Sequence, residues 1–393
     1  MNKFFLDLGK QPLANNYLSI YKKKQTKYNL KLFFNTKNKT VSISKRIPSE
    51  KMFTNKYPYR SSMSKTMRNS FYKLSLEIKK KFNPKKILEI GSNDGALIKN
   101  FNKKIVIGVE PCNNLAKITS RKGYLTYNKY WNFNLAKKIR KKNGKIDLLY
   151  SANTLTHISN LAEVFKSISY LLSNDGVLII EDPSLLECIK KNSYDQFYNE
   201  HIYLFSAISV KNIINKFNFE IFHIKNLTTH GGSLRYYIKK KNNKKLKISR
   251  SVHKQISKEI KYGLHKFKTY TKFSTNVQKS KRNLLKILNK LKKNNKKIIG
   301  YGATAKAVTI INYCNINKDL ISNFVDVTPE KINKFMPGKD IKILNYDRNI
   351  LKKYDFAFLG AWNFRNEIFN KEKKFLKRGG KFIIHVPFPK IIK

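Results

Sequence analysis

Residues 87–101, ILEIGSNDGALIKNF, decide the fold. The apolar run ILEI predicts a buried strand, and the turn GSNDG after it predicts a sharp reversal into a helix over ALIKNF. Glycine carries no Cβ, so the backbone of such a turn can approach a ligand closely. In doubly wound sheets, cofactors bind at the carboxyl ends of the strands. The stretch therefore predicts an α/β domain with a cofactor site above this strand.

Acidic residues at the ends of the next strands indicate which class of cofactor binds there. Glu110 ends the following strand, IVIGVE, where it is placed to accept hydrogen bonds from the two hydroxyls of an adenosine ribose. A fourth strand runs from Asp147 to Asn153, and His157 follows it. This pattern resembles the class I methyltransferases more than the G-x-G-x-x-G dinucleotide folds, although another nucleotide stays open. The resemblance implies S-adenosyl-L-methionine as cofactor, held by Glu89, Gly91, Ser92, Asn93, Gly95, Glu110 and Asn153.

The rest of the chain alternates in the same way. Strand-like runs KKILEIG, KIVIGVE, KIDLLYSA and GVLIIED are separated by amphipathic stretches, which is typical of a Rossmann-like, doubly wound sheet. FEIFHI and SLRYYI are predicted as its late strands, and KKIIGYG through KFIIHVP as a second α/β unit. We therefore expect a small N-terminal domain (1–70), a methyltransferase domain (71–240), a helical connector (241–296) and a Rossmann-like C-terminal α/β domain (297–393).

The composition is strongly basic, with a net charge of +58 over 393 residues. Lysine is scattered with asparagine and isoleucine and arginine is sparse, which is typical of an AT-rich coding sequence. Solvated lysine faces are therefore favoured over a nucleic-acid partner, although a polyanion partner stays open. No apolar run is long enough to cross a bilayer, so we expect a soluble cytoplasmic protein without membrane contact. The 3 cysteines, without C-x-x-C spacing, build neither a disulfide framework nor a four-cysteine zinc site.

Several further segments occur in an order that resembles the sugar C-methyltransferases, which act on nucleotide-linked keto-deoxysugars. They are QPLAN (11–15), YPYRSS (57–62), EIGSNDG (89–95), YDQFYNEH (194–201), THGGSLR (229–235), GYGA (300–303) and AWNF (361–364). The resemblance implies a zinc-binding N-terminal domain, a central methyltransferase domain and a C-terminal domain that helps to hold the nucleotide sugar.

The chain departs from that family in its first domain. The family holds zinc there with C-x-x-C pairs, but this chain starts too close to QPLAN to include the first pair. The region of the second pair reads Asn35-Thr36-Lys37-Asn38. We therefore expect no metal, and the domain must be held together by packing alone.

The resemblance also implies the reaction and its residues. Carbon offers no lone pair, so a base must first remove a proton beside a ketone, and histidine suits that role because its ordinary pKa is about 6.5. His201 is predicted as the base, with Glu200 orienting or charge-tuning its imidazole and Tyr198 donating to the enolate oxygen. His157 receives no catalytic role. Predicted substrate contacts are Tyr59, Ser61, Ser62, His230, Gly231, Gly232, Gly302 and Lys306, where Gly302 and Lys306 are expected to present backbone amides and a cation to the diphosphate.

We therefore predict C-methylation of a nucleotide-linked 4-keto-6-deoxysugar, with thymidine diphosphate as the expected nucleotide. A structural interpretation of the histidine loop, as a polar cap on the sheet, stays open. So does a methyltransferase of another small molecule or of RNA, or a catalytically inactive binding protein with this fold. Against a base methyltransferase, the fourth strand leads into Ser151-Ala152-Asn153-Thr154 rather than an Asp/Asn-Pro-Pro-Tyr loop. The loop Asp182-Pro183-Ser184 also lacks an aromatic ring to stack on a flipped base.

Overall fold

A computed structural model describes residues 1–44 and 47–392, so the predicted first and last domains are covered except for positions 45, 46 and 393. Its strands are β1 Asn2–Gln11, β2 Tyr28–Asn35, β3 Val41–Ile43, β4 Ile87–Ile90, β5 Val106–Val109, β6 Leu125–Tyr127, β7 Ile146–Ala152, β8 Leu172–Pro183, β9 Tyr203–Leu204, β10 Phe219–Leu227, β11 Ser233–Lys240, β12 Ile298–Tyr301, β13 Asn323–Asp326, β14 Lys342–Asn345, β15 Phe356–Leu359, β16 Lys381–Ile384 and β17 Lys390–Ile392. Its helices are α1 Ser49–Met52, α2 Lys65–Phe82, α3 Asn113–Arg121, α4 Phe133–Asn143, α5 Leu161–Leu171, α6 Leu185–Lys190, α7 Ala207–Ile214, α8 Arg250–Tyr262, α9 Phe267–Lys293, α10 Ala305–Tyr313, α11 Arg365–Lys371 and α12 Lys373–Lys377.

The middle sheet has the predicted doubly wound form, with strand order β10-β11-β8-β7-β4-β5-β6. Strands β6, β5, β4, β7 and β8 are parallel, and β11 is inserted antiparallel between β8 and β10. FEIFHI and SLRYYI lie in β10 and β11, as predicted. Because β4 has β5 on one side and β7 on the other, the carboxyl ends of these three strands meet at one crevice, where such sheets bind ligands.

Helix α2 belongs to this sheet, although it begins before residue 70. Its N-cap Ser64 accepts a hydrogen bond from the backbone of Met67. Its buried face, including Phe71 and Ile78, packs in one cluster with Ile87 of β4. The methyltransferase unit of the structure therefore includes all of α2.

The prediction of a helix over ALIKNF is wrong, since only a 3-10 turn, Ile98–Asn100, follows the glycine turn. The Asn100 side chain donates to the backbone carbonyls of Ala96 and Leu97, at 3.0 Å each, and takes up oxygens that a longer helix would use. Gly95, at φ 82°, turns the chain sharply before this segment. The apolar residues of ALIKNF are nonetheless buried, so their spacing indicates burial rather than a helix.

The C-terminal unit repeats the doubly wound arrangement, with strand order β14-β13-β12-β15-β16-β17. All neighbours are parallel except β17, which pairs antiparallel with β16. Strand β12 lies between β13 and β15, so the carboxyl end of β12 also opens on a crevice. Helices α8 and α9 connect the two units, as the lysine-rich apolar spacing predicts. No described helix combines the length and apolar character that a membrane crossing requires.

The N-terminal segment forms an antiparallel sheet in the order β1-β2-β3-β9. Leu8, Leu30 and Leu32 are fully buried on one face. Phe34 stacks on Tyr270 of α9 with ring centroids 4.5 Å apart, so this sheet packs onto the connector. Aliphatic and aromatic burial therefore holds the segment in place.

Asparagines close the turn where the related family carries its second cysteine pair. Asn35 Oδ1 accepts from the backbone of Lys37 and Asn38, and Asn38 Oδ1 accepts from the backbone and hydroxyl of Thr40. Such side-chain turns stabilise a hairpin without a metal. Within the described residues, no three His, Cys, Asp or Glu side chains lie close enough together to hold a metal ion.

Candidate active site

A cavity of about 650 Å³ lies where the middle sheet, the C-terminal sheet and residues 57–64 meet. Its wall includes residues at the carboxyl ends of β4, β5 and β7 on one side and of β12 and β13 on the other. The cavity thus joins the two crevices that the doubly wound sheets create. A volume of this size is in the range of small-ligand sites.

The cofactor side is built around the Gly91 turn. Gly91 has φ 75°, and a Cβ there would overlap the Thr154 side chain, so only glycine fits. The Glu110 carboxylate accepts from the backbone N–H groups of Asn93 and Cys112 at 2.8 Å each, which fixes the turn against β5. Burial raises the pKa of Glu110, partly offset by these two backbone hydrogen bonds. Gly91, Ser92, Asn93 and Glu110 all line the cavity, as predicted.

Unpartnered polar atoms on this wall fit S-adenosylmethionine. Glu89 Oε2 and Asn153 Oδ1 are buried and have no hydrogen-bond partner among the described residues, and both residues line the cavity. Burial, with the neighbouring Glu110 and Asp94, raises the pKa of Glu89 well above its ordinary value. Buried acceptors without donors are costly, and the ammonium and hydroxyl donors of this cofactor would satisfy them. The residues present therefore fit the group.

His201 and Tyr198 form a hydrogen-bonded pair on the cavity wall, with Nε2 and Oη 2.5 Å apart. His201 Nδ1 lies 2.6 Å from the backbone carbonyl oxygen of Gln196. A carbonyl only accepts, so Nδ1 carries the proton and Nε2 presents its lone pair to the Tyr198 hydroxyl. Burial, together with His157, lowers the pKa of His201 well below 6.5, and burial raises that of Tyr198. His201 is therefore neutral, and its basic nitrogen accepts a hydrogen bond from the Tyr198 hydroxyl.

Glu200 does not orient this imidazole, contrary to the sequence-based prediction. Its carboxylate accepts from Asn15 Nδ2 and Tyr57 Oη at 2.7 Å each, and it lies off the cavity wall. Neighbouring residues point in different directions, and here Glu200 faces the N-terminal segment while Gln196 orients His201. Glu200 thus ties the segments QPLAN and YPYRSS to the histidine loop. Three motifs therefore converge on one carboxylate, and a catalytic role of Glu200 stays a prediction.

The buried Glu200 makes stability depend on pH. Burial raises its pKa from 4.5 to about 7, despite the hydrogen bonds from Tyr57 and Asn15. Between those values only the folded chain keeps the proton, so the stability it supplies is lost as pH rises towards 7. We expect the wild-type free energy of unfolding to fall by about 3 kcal/mol relative to Glu200→Gln between about pH 5 and 8.

Urea unfolding of both proteins across this pH range measures the difference. The other carboxyl groups are common to both chains and cancel. A difference that does not change with pH would contradict a raised pKa at Glu200.

Two more histidines line the cavity beside this pair. His157 stacks on His201 with ring centroids 5.1 Å apart, and His230 Nε2 lies 3.2 Å from Asn153 Nδ2. Burial lowers the pKa of both to about 3, so both are neutral. The sequence analysis gave His157 no catalytic role, although its position after the fourth strand placed it near this edge. His230, a predicted substrate contact, thus lies next to Asn153, a predicted cofactor contact, and connects the two regions of the cavity.

Besides Glu200, four residues predicted to contact cofactor or substrate lie off the cavity wall: Ser62, Gly95, Gly231 and Gly232. The Ser62 N–H and hydroxyl donate to the Asp94 carboxylate, which anchors the loop to the glycine turn. A Cβ on Gly95 would lie 2.7 Å from Thr119 Cγ2, one on Gly231 would overlap the Trp362 ring, and one on Gly232 would approach Glu187 at 2.8 Å. The three glycines permit close packing between elements, and contact of these four residues with a ligand stays a prediction.

Tyr59 and Ser61, which were predicted as substrate contacts, line the cavity, and the loop that carries them forms hydrogen bonds with the cofactor turn. The Ser61 N–H donates to Asn93 Oδ1 at 2.9 Å, and Asn93 Nδ2 donates to the Tyr59 carbonyl at 3.2 Å. Arg60 in the same loop forms an ion pair with Glu330 of the C-terminal unit. The loop therefore connects the cofactor turn with the C-terminal wall of the cavity.

Gly302 and Lys306, which were predicted as substrate contacts, lie on the C-terminal wall of the cavity. Gly302 has φ 86°, and Lys306 is the second residue of α10, whose N-cap Thr304 accepts from Ala307 N–H. No hydrogen bond or ion pair holds Lys306 Nζ among the described residues. Burial lowers the pKa of Lys306, partly offset by Asp195. A cation without a partner beside a helix N-terminus suits an anionic ligand.

The sequence analysis missed Asp326, at the end of β13. Its carboxylate accepts from Ala303 N–H and Thr328 N–H at 2.9 Å each, the same arrangement that Glu110 has in the first unit. Lys331 Nζ lies 3.5 Å from Asp326 Oδ2, and Asp326, Thr328 and Lys331 all line the cavity. The acid that ends the strand NFVD was the available signal, since it repeats the acid at the end of IVIGVE.

Comparisons with known proteins show which protein families the chain resembles. Residues 59–224 match the family described as a methyltransferase domain, and residues 228–387 match the family described as the C-methyltransferase C-terminal domain. The C-methyltransferase NovU of Streptomyces niveus is 28% identical over 308 residues, which are 78% of this chain and 73% of that protein.

Two solved methyltransferase structures each align with less than half of the chain. A methyltransferase from Anabaena variabilis ATCC 29413 is 16% identical with a TM-score of 0.37, covering 45% of this chain and 86% of that one. The magnesium protoporphyrin IX methyltransferase ChlM of Synechocystis PCC 6803, solved with bound SAM, is 14% identical with a TM-score of 0.32, covering 44% and 77%.

The sheet order and the glycine turn, with its acids, define a class I methyltransferase that uses S-adenosylmethionine. With both a methyltransferase domain and the C-methyltransferase C-terminal domain, the chain is an S-adenosylmethionine-dependent C-methyltransferase.

Proposed function

We propose that this enzyme methylates a carbon next to the ketone of a nucleotide-linked 4-keto-6-deoxysugar, with thymidine diphosphate as the nucleotide. One observation carries the proposal. A single cavity is bounded by the Gly91 turn, by the His201–Tyr198 pair and by the unpaired Lys306 of the C-terminal unit. Such a cavity accommodates a methyl donor, a proton acceptor and an anionic acceptor substrate together.

The C-terminal wall suits the nucleotide diphosphate. Lys306 and the start of α10 supply positive charge for the phosphates, and Asp326 supplies carboxylate oxygens for hydroxyl groups of the nucleoside. Tyr59 and Tyr346 also line the cavity and offer aromatic surface to a base. The wall thus offers a contact for each chemical part of a nucleotide.

The His201–Tyr198 pair performs the proton transfer. Because the Tyr198 hydroxyl already donates to His201 Nε2, we propose that Tyr198 takes the proton from the substrate carbon while its own proton passes to His201. The C–H bond breaks, its electron pair forms the enolate, and the imidazole becomes an imidazolium. The Gln196 carbonyl stabilises that imidazolium through Nδ1–H.

S-adenosylmethionine, when bound, supplies a sulfonium methyl group as the electrophile. Glu89, Glu110 and Asn153 would hold it at the wall opposite the C-terminal unit. The walls of the cavity keep bulk water from the enolate carbon, which otherwise takes back a proton.

Lys306→Gln is expected to raise the KM for the nucleotide sugar about 10- to 100-fold, because a charge-assisted contact to phosphate is lost. The affinity for S-adenosylhomocysteine should stay unchanged. Steady-state kinetics and calorimetry measure the two quantities. Lys353→Gln, an exposed lysine outside the cavity wall, is the control for the general loss of one positive charge. An equal rise in KM in both variants would contradict a specific role of Lys306.

Sequential calorimetry tests the proposed acceptor directly. The protein is titrated with S-adenosylhomocysteine and then with a thymidine diphosphate-linked deoxysugar, at a salt concentration that screens the surface lysines. We expect saturable binding of the sugar nucleotide that depends on bound S-adenosylhomocysteine. Cofactor binding without any response to thymidine or uridine diphosphate sugars would overturn the proposed acceptor and leave the methyltransferase assignment intact.

A further inference from the structure

A buried polar cluster outside the cavity wall connects the C-terminal unit to the catalytic loop. Asp195 and His385 are fully buried, and His385 Nε2 lies 3.0 Å from Asp195 Oδ2. Trp362 Nε1 donates to the same oxygen at 2.5 Å. Indole N–H only donates, so Oδ2 accepts, and His385 Nε2 must carry a proton to donate as well. Neither bond is local, since 190 and 167 residues separate the partners.

The residue after Asp195 orients the proposed base. The Gln196 carbonyl fixes Nδ1 of His201, and Gln196 Nε2 donates to the His230 carbonyl at 2.6 Å. Asp195 and Gln196 belong to one 3-10 turn, Tyr194–Gln196. The Gln196 carbonyl lies in the peptide plane between Gln196 and Phe197, whose N–H donates to the Tyr194 carbonyl at 3.2 Å. The anchored side chains of Asp195 and Gln196 restrict the φ and ψ rotations that set the direction of this carbonyl.

Trp362 strengthens the same connection from a second direction. Its ring fills the space beside Gly231, where a Cβ would overlap it, and Gly231 follows His230. One side chain of the C-terminal unit therefore touches both turns that converge on Gln196. His385 is itself held by ring contacts with Phe358 at 5.7 Å and Tyr194 at 6.3 Å.

We infer that Asp195, His385 and Trp362 are positioning residues, through which the C-terminal unit holds the Gln196 carbonyl against Nδ1 of His201. The base is then in its reactive tautomer, with Nε2 free to accept, only while the C-terminal unit is docked on this turn. The inference rests on the proposed role of His201. It assigns the C-terminal unit a part in the proton transfer besides binding the substrate.

His385→Phe and His385→Gln separate positioning from packing. Phenylalanine keeps an aromatic ring but loses the N–H donor, whereas the glutamine amide nitrogen can donate from about the position of Nε2. We expect kcat to fall about 10- to 100-fold in His385→Phe, since misplacing a catalytic group by an ångström has effects of that size. His385→Gln should recover to within about threefold of wild type, with the KM values and S-adenosylhomocysteine affinity of both variants within about twofold of wild type.

Imidazole 15N NMR of the S-adenosylhomocysteine-bound enzyme supplies a readout independent of the methyl acceptor. The His201 signals, assigned by their loss in His201→Asn, should show a single Nδ1–H tautomer in wild type and in His385→Gln. In His385→Phe they should show mixed tautomers and faster exchange of the Nδ1 proton. An unchanged His201 tautomer in His385→Phe, or a glutamine variant as impaired as the phenylalanine one, overturns the inference.

A second variant keeps the inference testable if His385→Phe does not fold. Trp362→Phe removes one N–H donor to Asp195 and keeps an aromatic ring beside Gly231, and we expect the same loss of a single His201 tautomer. Because the NMR result needs only the cofactor product, it stands even where no sugar nucleotide is turned over. Failure of the acceptor assignment and failure of this inference are therefore distinguishable.

Discussion

His201→Ala lowers kcat about 1,000-fold, by expectation, because general-base catalysis contributes about 10²- to 10⁴-fold and the cavity offers no equivalent proton acceptor. His157 and His230 are neutral as well, but their ring nitrogens do not share the hydrogen-bond partners of His201. Neither has the carbonyl-oriented Nδ1–H and tyrosine-facing Nε2 that His201 has. Transfer of a labelled methyl group from S-adenosylmethionine measures the rate, and calorimetry with S-adenosylhomocysteine verifies that the cofactor side is intact.

His223→Ala is the matched control, since His223 lies on β10 outside the cavity wall and bonds to Ser249. Tyr198→Phe is expected to lose nearly as much activity as His201→Ala, because the proton passes through the tyrosine hydroxyl. A His201→Ala enzyme that keeps more than about a tenth of the wild-type rate would exclude this pair as the base. A fully active Tyr198→Phe enzyme would instead make His201 act directly on the substrate.

The second large effect is expected at the cofactor turn, where Gly91→Ala should weaken S-adenosylhomocysteine binding about 10- to 100-fold. The residue has φ 75°, and the added methyl group would overlap the Thr154 side chain, which is held by a 2.9 Å hydrogen bond from its Oγ1 to the Ala152 carbonyl. Overpacking of this kind costs about 1 to 3 kcal/mol, and the strain acts on the backbone that faces the cofactor. Calorimetric titration measures the affinity.

Gly9→Ala is a close control for this substitution. Gly9 has φ 73°, and an added Cβ would meet nothing within 4 Å. Both variants carry the cost of an L-residue in the left-handed region, about 1 to 2 kcal/mol, but only Gly91→Ala adds the clash. Equal cofactor affinity in the two variants would contradict the close approach of the Gly91 backbone to the cofactor.

The cofactor side was predictable from sequence because it depends on strand ends. Glu110, Asn153 and the Gly91 turn each follow an apolar run, and parallel strands bring their carboxyl ends to one edge. His201 and Lys306 came from motif resemblance, and the structure places both on the cavity wall. Their exact roles remain predictions for the experiments above.

What the sequence did not reveal depends on contacts between distant segments. Glu200 precedes His201 directly, yet its partners Asn15 and Tyr57 are 185 and 143 residues away. The group that orients His201 is a backbone carbonyl, Gln196, which no side-chain pattern can indicate. The Asp195–His385 bond likewise spans 190 residues.

Glycine has the same ambiguity, since it permits either ligand approach or close packing. At both Gly91 and Gly231 an added Cβ would overlap a side chain, that of Thr154 or Trp362, but of the two glycines only Gly91 lines the cavity. A single sequence shows both as glycine turns. Only the tertiary neighbours distinguish a binding turn from a packing turn.

Transfer of a 13C-labelled methyl group tests the central claim most directly. The enzyme is incubated with methyl-labelled S-adenosylmethionine and a thymidine diphosphate-linked 4-keto-6-deoxysugar, and the product is examined by carbon NMR. The proposed function predicts a labelled methyl group bonded to the ring carbon next to the ketone, with formation abolished in His201→Ala. A methyl group on oxygen, or no transfer to a keto sugar by an enzyme that binds S-adenosylhomocysteine, would contradict it.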